Sequence, residues 1–203
     1  MSQSIVMTEQ EIIHTQLQHI IEMLDYREMF EHINNKNKFI KDTVSQLHKQ
    51  YNNSLVFNFT FKMNDGKTKR VNIKFVKNSI SNLKKTPGLE EFLNKSNDLN
   101  ILINEPAPRA IELMKHYKNL EIFKNDYFNQ NKAKADYVPY HKLLTPKERD
   151  AFYAEYKNEL ANLSIIQLSD PMAKYVGGRL RDVIKIVRAS STSGRSIIYR
   201  RVA

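Results

Sequence analysis

Apolar residues at Ile13, Leu17, Ile20, Ile21 and Leu24 recur at intervals of three and four, the period that gathers side chains onto one stripe of a helix. Thr8 and Glu11, just ahead of the stripe, predict a capping box in which each side chain satisfies a backbone N–H that the first turn leaves free. Met23 and Met29 read as core filler. A second helix is predicted around Phe39, Ile40, Val44 and Leu47. From Ser54 the period drops to two: Leu55, Phe57, Phe59 and Phe61 alternate with Val56, Asn58 and Thr60. Asn64-Asp65-Gly66 then supplies residues that tolerate positive φ, and Val71, Ile73 and Phe75 alternate on the return, so a β-hairpin is predicted.

A short helix around Leu89 to Leu93 precedes a buried strand over Leu99 to Ile103, which must end before Pro106 and Pro108. A helix from Arg109 to Lys118 and a strand from Leu120 to Phe128 follow. Strands with interspersed helices predict an α/β domain. The stretch Asn129 to Asp136 has no large apolar residue and is the best linker candidate. After it, Thr145, Pro146 and Glu148 predict a second capping box, opening a helix that runs to about Asn158. Ile165 to Leu168 reads as a short strand stopped by Ser169-Asp170-Pro171, where Asp170 can cap a helix of one or two turns that Gly177 closes. Strands over Val183 to Arg188 and Ser196 to Val202 flank a turn at Ser193-Gly194. The expectation is an α/β (α+β) protein: an N-terminal domain over 1–136, then a small mixed sheet with helices over 137–203.

Charge adds a partner class. The chain of 203 residues carries a formal charge of +10, which suggests an anionic partner such as nucleic acid. From Met172 onward there are eight Lys and Arg residues against the single acid Asp182, whereas the region before Pro139 holds twenty basic and sixteen acidic residues. The excess is therefore C-terminal. Cysteine is absent, which excludes disulfides and thiolate zinc sites. The opening MSQSIVMTEQEIIH lacks a basic leader and a continuous apolar stretch, and no apolar run approaches the ~20 residues that span a bilayer, so neither secretion nor a membrane partner is expected. Asparagine is abundant beside Lys and Ile, a bias of the kind an AT-rich genome produces.

Catalytic chemistry finds little footing. A metal-dependent nuclease needs an acid and an acid-x-Lys pair on adjoining strands to hold Mg²⁺ and position water. The pairs present, Asp65-Gly66-Lys67 and Glu155-Tyr156-Lys157, fall in a predicted turn and a predicted helix. His14, His19, His32, His48 and His116 show no spacing of four for a metal, and five glycines form no phosphate loop. No catalytic residue, metal, cofactor or small-molecule substrate is expected.

Val138-Pro139 and His141, Leu144-Thr145, the run from Gln167 to Tyr175, Val183 to Arg188, and Ser193-Gly194-Arg195 through Tyr199-Arg200 share an order. In these positions the chain resembles the H subunit of archaeal RNA polymerase, which corresponds to the C-terminal domain of the fifth subunit shared by eukaryotic nuclear RNA polymerases. The first 137 residues echo that subunit's N-terminal jaw domain in strand–helix order and at Pro108-Arg109-Ala110. Asp182 departs from the glycine usual in its turn, and Arg109 from a small polar residue.

The resemblance implies a non-catalytic polymerase subunit that docks on the largest subunit through its C-terminal domain and sets its N-terminal domain in the lower jaw near downstream duplex DNA. On that reading Pro139, His141, Gln167, Asp170, Pro171, Tyr175, Arg188, Arg195 and Arg200 are the docking candidates, of which Asp170, Pro171 and Tyr175 could equally serve the fold alone. Arg109, Lys115 and Lys118 are the DNA-proximal candidates, with sequence-independent phosphate contacts, although a solvated helix face explains the two lysines as well. Two domains imply a eukaryotic or large DNA virus source, with the base-composition bias favouring the virus: host cytoplasm and virion if viral, nucleus if cellular. A free-standing DNA-binding protein and a metal-dependent nuclease stay open as alternatives.

Overall fold

The structure, a computed structural model, describes residues 7–53, 55–63, 66–95, 98–156, 163–190 and 192–203. Asn64 and Asp65 of the predicted turn, and Lys157 and Asn158 at the end of the predicted helix, lie outside these residues. Packing divides the chain into two units. One holds the residues up to Ile21 together with Met29–Gln130; the other holds Glu22–Glu28 together with Asn131–Ala203.

The first unit opens with helix α1 (Glu9–Tyr26), whose residues up to Ile21 belong to it. Its capping box forms as the sequence requires: the Thr8 N–H donates to Glu11 Oε2 at 2.7 Å, and the Glu11 N–H donates to Thr8 Oγ1 at 3.3 Å. Ile13, Leu17, Ile20 and Ile21 are buried. Helix α2 (Lys36–Lys49) buries Thr43 and Leu47. Strands β1 (Val56–Lys62), β2 (Thr68–Phe75), β3 (Leu99–Ile103) and β4 (Leu120–Phe123) form a sheet in that order. β1 and β2 run antiparallel; β2, β3 and β4 run parallel. Phe30 meets Phe39, Phe59 and Phe61 edge to face at 5.2–6.4 Å, fixing α2 against β1. Leu102 of β3 packs with helices α3 (Leu89–Leu93) and α4 (Pro108–Met114) through Leu89, Phe92, Ala110 and Met114.

Three local expectations are corrected. β2 does not alternate, because it is an inner strand and Val71 to Phe75 are all buried. Its polar members need partners: Asn72 donates to Asn100 Oδ1 and Asp98 Oδ2, each at 3.0 Å. Helix α4 stops at Met114, short of Lys118, because the chain turns at Tyr117 to bring Leu120 beside Asn100. β4 stops at Phe123, short of Phe128, because a turn folds the rings of Phe123, Tyr127 and Phe128 together at 4.8–4.9 Å.

The second unit is built on a sheet of order β5-β7-β8-β6, from β5 (Tyr140–Leu143), β6 (Ile165–Ile166), β7 (Val183–Ser190) and β8 (Gly194–Val202). β7 is antiparallel to β5 and β8, and β6 is parallel to β8. Helix α5 (Pro146–Glu155) starts at the predicted box: Thr145 Oγ1 accepts from the Glu148 N–H at 3.3 Å, and Glu148 Oε2 accepts from the Thr145 N–H at 2.8 Å. Helix α6 (Pro171–Tyr175) sits over a core of Ile166, Ala173, Val176, Ile184, Ile186 and Val202. β6 is two residues long rather than the four predicted, since Gln167 already closes a turn to Asp170. The stretch expected as a linker holds a 3₁₀ turn over Lys132–Lys134, with Asn131 capping it through the Ala133 N–H. Helices with two mixed sheets make the α+β class expected of the chain. No helix among the described residues is long and apolar enough to cross a membrane.

Candidate partner-docking site

The run from Gln167 to Gly178 folds around Tyr175. Asp170 Oδ1 accepts from the Met172 and Ala173 N–H groups at 2.8 and 3.1 Å, and Pro171 fills the first helical position, where a missing N–H costs nothing. The resulting turn directs Tyr175 inward, leaving it 1% exposed. Its hydroxyl donates to Asn131 Oδ1 at 3.1 Å, and Tyr26 stands edge-on to its ring at 5.2 Å. Burial, with the Glu22 carboxylate nearby, pushes the phenol far above its ordinary range. At the other end of α6, Arg27 donates through Nε to the Tyr175 carbonyl at 2.7 Å and through Nη2 to the Lys174 carbonyl at 2.9 Å. The Lys174 carbonyl also accepts from the Gly177 N–H at 3.0 Å, and the Tyr175 carbonyl is of the kind a helix end leaves without an intrahelical donor. Gly177 follows at φ +75°, and a Cβ there would stand 3.2 Å from Arg27 Cζ, so both backbone and neighbour select glycine.

His141 joins the same cluster. Its N–H donates to the Tyr26 hydroxyl at 2.9 Å, and its Nδ1 lies 2.7 Å from the Pro139 carbonyl, so it acts as a donor there. Burial raises the Tyr26 phenol, and the His141 N–H partly offsets the rise. Asn131 Nδ2 and Lys134 Nζ both reach Glu22. Pro139, His141, Asp170 and Tyr175 are thus brought together, by residues the sequence reading missed: Glu22, Tyr26, Arg27 and Asn131. The local pattern gave no signal for Tyr26 and Arg27, which follow an amphipathic stripe and meet partners more than 100 positions later.

The other docking candidates face outward. Gln167 is exposed, its Oε1 accepting from the Ser169 hydroxyl at 3.2 Å, and Pro171 is exposed beside it. Gln167 lines an open cavity of about 650 Å³ with Ile165, Leu168, Lys174 and Ala203. Ile165 and Leu168 are 55% and 40% exposed there, an apolar lining at the edge strand β6. Arg188 and Arg195 are exposed on the β7–β8 hairpin. Arg200 is half-buried, and its Nε has no hydrogen-bond partner among the described residues.

Of the DNA-proximal candidates, Arg109 is exposed in the first turn of α4. Lys115 is exposed and pairs with Glu112 at 2.6 Å. Six residues apart, the two point about 120° from each other around the axis. Lys118 is exposed beyond the helix. No three His, Cys, Asp or Glu side chains gather as a metal site among the described residues.

The model of the family RNA polymerase Rpb5, C-terminal domain, matches residues 130–202. DNA-directed RNA polymerase subunit Rpo5 of Methanothrix thermoacetophila is 45% identical over 65 residues, which are 32% of this chain and 83% of that protein. The chain belongs to the RNA polymerase subunit 5 family. Within that family, subunit RPABC1 of DNA-directed RNA polymerases I, II and III from Caenorhabditis elegans is 35% identical over 100 residues, 49% of this chain and 44% of that protein. The match therefore spans less than half of the nematode relative. DNA-directed RNA polymerase subunit 5 of Acanthamoeba polyphaga mimivirus is 29% identical over 143 residues, 70% of this chain and 69% of the viral protein. That length is too great to fit within the C-terminal segment, so likeness to the viral relative reaches into the first unit.

Proposed function

We propose that the protein is a non-catalytic subunit of a multisubunit DNA-directed RNA polymerase, anchored on the largest subunit through its second unit, with its first unit in the jaw beside downstream duplex DNA. One observation carries this reading. The family match over 130–202 begins and ends within a residue of the segment Asn131–Ala203, which packs as the body of its own unit.

Within that unit, Pro139, His141, Asp170 and Tyr175 shape the surface from beneath. Gln167, Pro171, Arg188 and Arg195 present it, with Arg200 at its margin. The Ile165–Leu168 lining supplies apolar area of the sort that partner anchors fill. Arg109 is the first choice for sequence-independent phosphate contact in the jaw, because Lys115 already has a carboxylate partner. A viral subunit would act in host cytoplasm and virion, a cellular one in the nucleus; the mimivirus relative favours the first.

The test is co-purification of the tagged full chain with the largest polymerase subunit, in wild-type form and as Ile165→Asp/Leu168→Asp. The wild type should retain the subunit. The double variant should keep its circular dichroism spectrum and lose retention at least tenfold. Failure of the wild type to retain it, with tight DNA binding by the chain alone, would favour a free-standing DNA-binding protein.

A further inference from the structure

Lys74 lies on β2, in register with Leu102 of β3, on the sheet face that α3 covers with Leu89 and Phe92. It is 6% exposed. Among the described residues its ammonium has neither a hydrogen-bond acceptor nor a carboxylate partner. Burial, and then the neighbouring Lys95, hold its pKa below the ordinary lysine range. A lysine with so little of its side chain exposed and no counter-charge is costly. An apolar side chain would suit a position beside Leu102 better.

The ammonium does have somewhere to act. It borders a cavity of about 480 Å³ lined also by Asn53, Gly88, Glu91, Phe92 and Lys95. Gly88, at φ +64°, keeps the wall open beside it: a Cβ there would stand 3.8 Å from Lys74 Nζ. Glu91 lines the cavity without pairing to either lysine, and Phe92, 2% exposed, forms an apolar wall.

We propose that this cavity is a binding site for a phosphate monoester or inorganic phosphate, with Lys74 as its buried charge partner, Lys95 as a second and the Asn53 amide as a further donor. With Glu91 on the same wall the two lysines leave one net positive charge, which a phosphate monoanion would balance while offering separate oxygens to both ammoniums and the Asn53 amide. The volume lies within the range of about 300–1,000 Å³ typical of small-ligand sites. Nothing in this assignment depends on the polymerase-subunit reading.

Isothermal titration of the full chain with inorganic phosphate tests it, beside Lys74→Met and Lys95→Ala. The wild type should bind one equivalent saturably, and each variant at least tenfold more weakly. In phosphate-free buffer Lys74→Met should melt higher than the wild type, because it loses the uncompensated charge. Added phosphate should raise the melting temperature of the wild type alone, by mass action. Adenosine monophosphate is the second probe: affinity more than tenfold above that of phosphate identifies a nucleotide as the source, and equal affinity identifies free phosphate. Absence of saturable binding by the wild type, or equal affinity in Lys74→Met, overturns the proposal.

Discussion

Replacing Arg27 by Met keeps most of the apolar stem and removes a guanidinium that closes the carbonyl end of α6. The bonds lost include those at 2.7 Å to the Tyr175 carbonyl and 2.9 Å to the Lys174 carbonyl. A hydrogen bond to a charged group is worth about 1.5–3 kcal/mol, and the half-buried setting argues for the lower end, so the pair sums to about 3 kcal/mol. For a unit of this size each kcal/mol moves the midpoint by about 4–8 °C, so the second unit should melt roughly 12–24 °C lower. Urea unfolding should show a lower midpoint at unchanged slope, the signature of a stability change rather than a looser denatured state. Arg195→Ala, on the exposed hairpin, is the control and should stay within about 0.5 kcal/mol. Gly177→Ala carries a second signature. At φ +75° it strains the backbone by about 1–2 kcal/mol and also crowds Arg27, so combining it with Arg27→Met should cost less than the sum. Stability of Arg27→Met within 0.5 kcal/mol of wild type, or strict additivity with Gly177→Ala, would refute this account of the helix end.

The His14 and His48 rings stack at 3.8 Å with planes 12° apart, and the Nε2 of each is buried without a hydrogen-bond partner among the described residues. Burial first, and then His48, lower the His14 pKa from 6.5, so the unfolded chain binds its proton more readily than the native one. Stability from this group is complete above about pH 6.5 and is lost as pH falls toward the lower native value; His14→Gln should flatten the dependence of the urea midpoint on pH in that window, and an unchanged slope would count against it. Arg109→Ala in the assembled polymerase should weaken duplex binding equally for all sequences and reduce the slope of log affinity against log salt by about 0.9. A salt series superimposable on wild type would remove Arg109 from the DNA surface.

Elements defined by local chemistry were legible in the sequence. Both capping boxes, the Asp170–Pro171 helix start and the buried strand Leu99–Ile103 each depend on residues within a few positions of one another. Expectations failed where long-range packing decides. The inner position of β2 in the sheet buries Asn72 and Lys74, which an alternating hairpin would have turned to solvent. The polar groups of Asn129 to Asp136 gave no sign in the sequence of how far some of their partners lie. Their partners are Glu22 and Tyr175, 109 and 44 positions from Asn131. The docking candidates were found through resemblance, and resemblance alone does not separate Tyr175, which is buried, from Gln167, which is exposed.

The C-terminal basic excess, which first suggested nucleic acid, is divided by strand register. Arg195 pairs with Ala189, Arg201 with Val183 and Lys185 with Tyr199, so these three basic residues share one face of the β7–β8 ladder. Arg188 pairs with Ser196 and Arg200 with Ile184, which puts both on the opposite face. A protein that grips nucleic acid by itself gathers its cations on one face or along one helix. Here they are split, the faces carry the buried Val183 on one side and Ile184 and Ile186 on the other, and the Nε atoms of Arg200 and Arg201 are buried without hydrogen-bond partners among the described residues. A guanidinium nitrogen buried without an acceptor costs more than one left in water. The split of charge over both faces of the ladder therefore argues against a self-contained DNA-binding stripe in this unit.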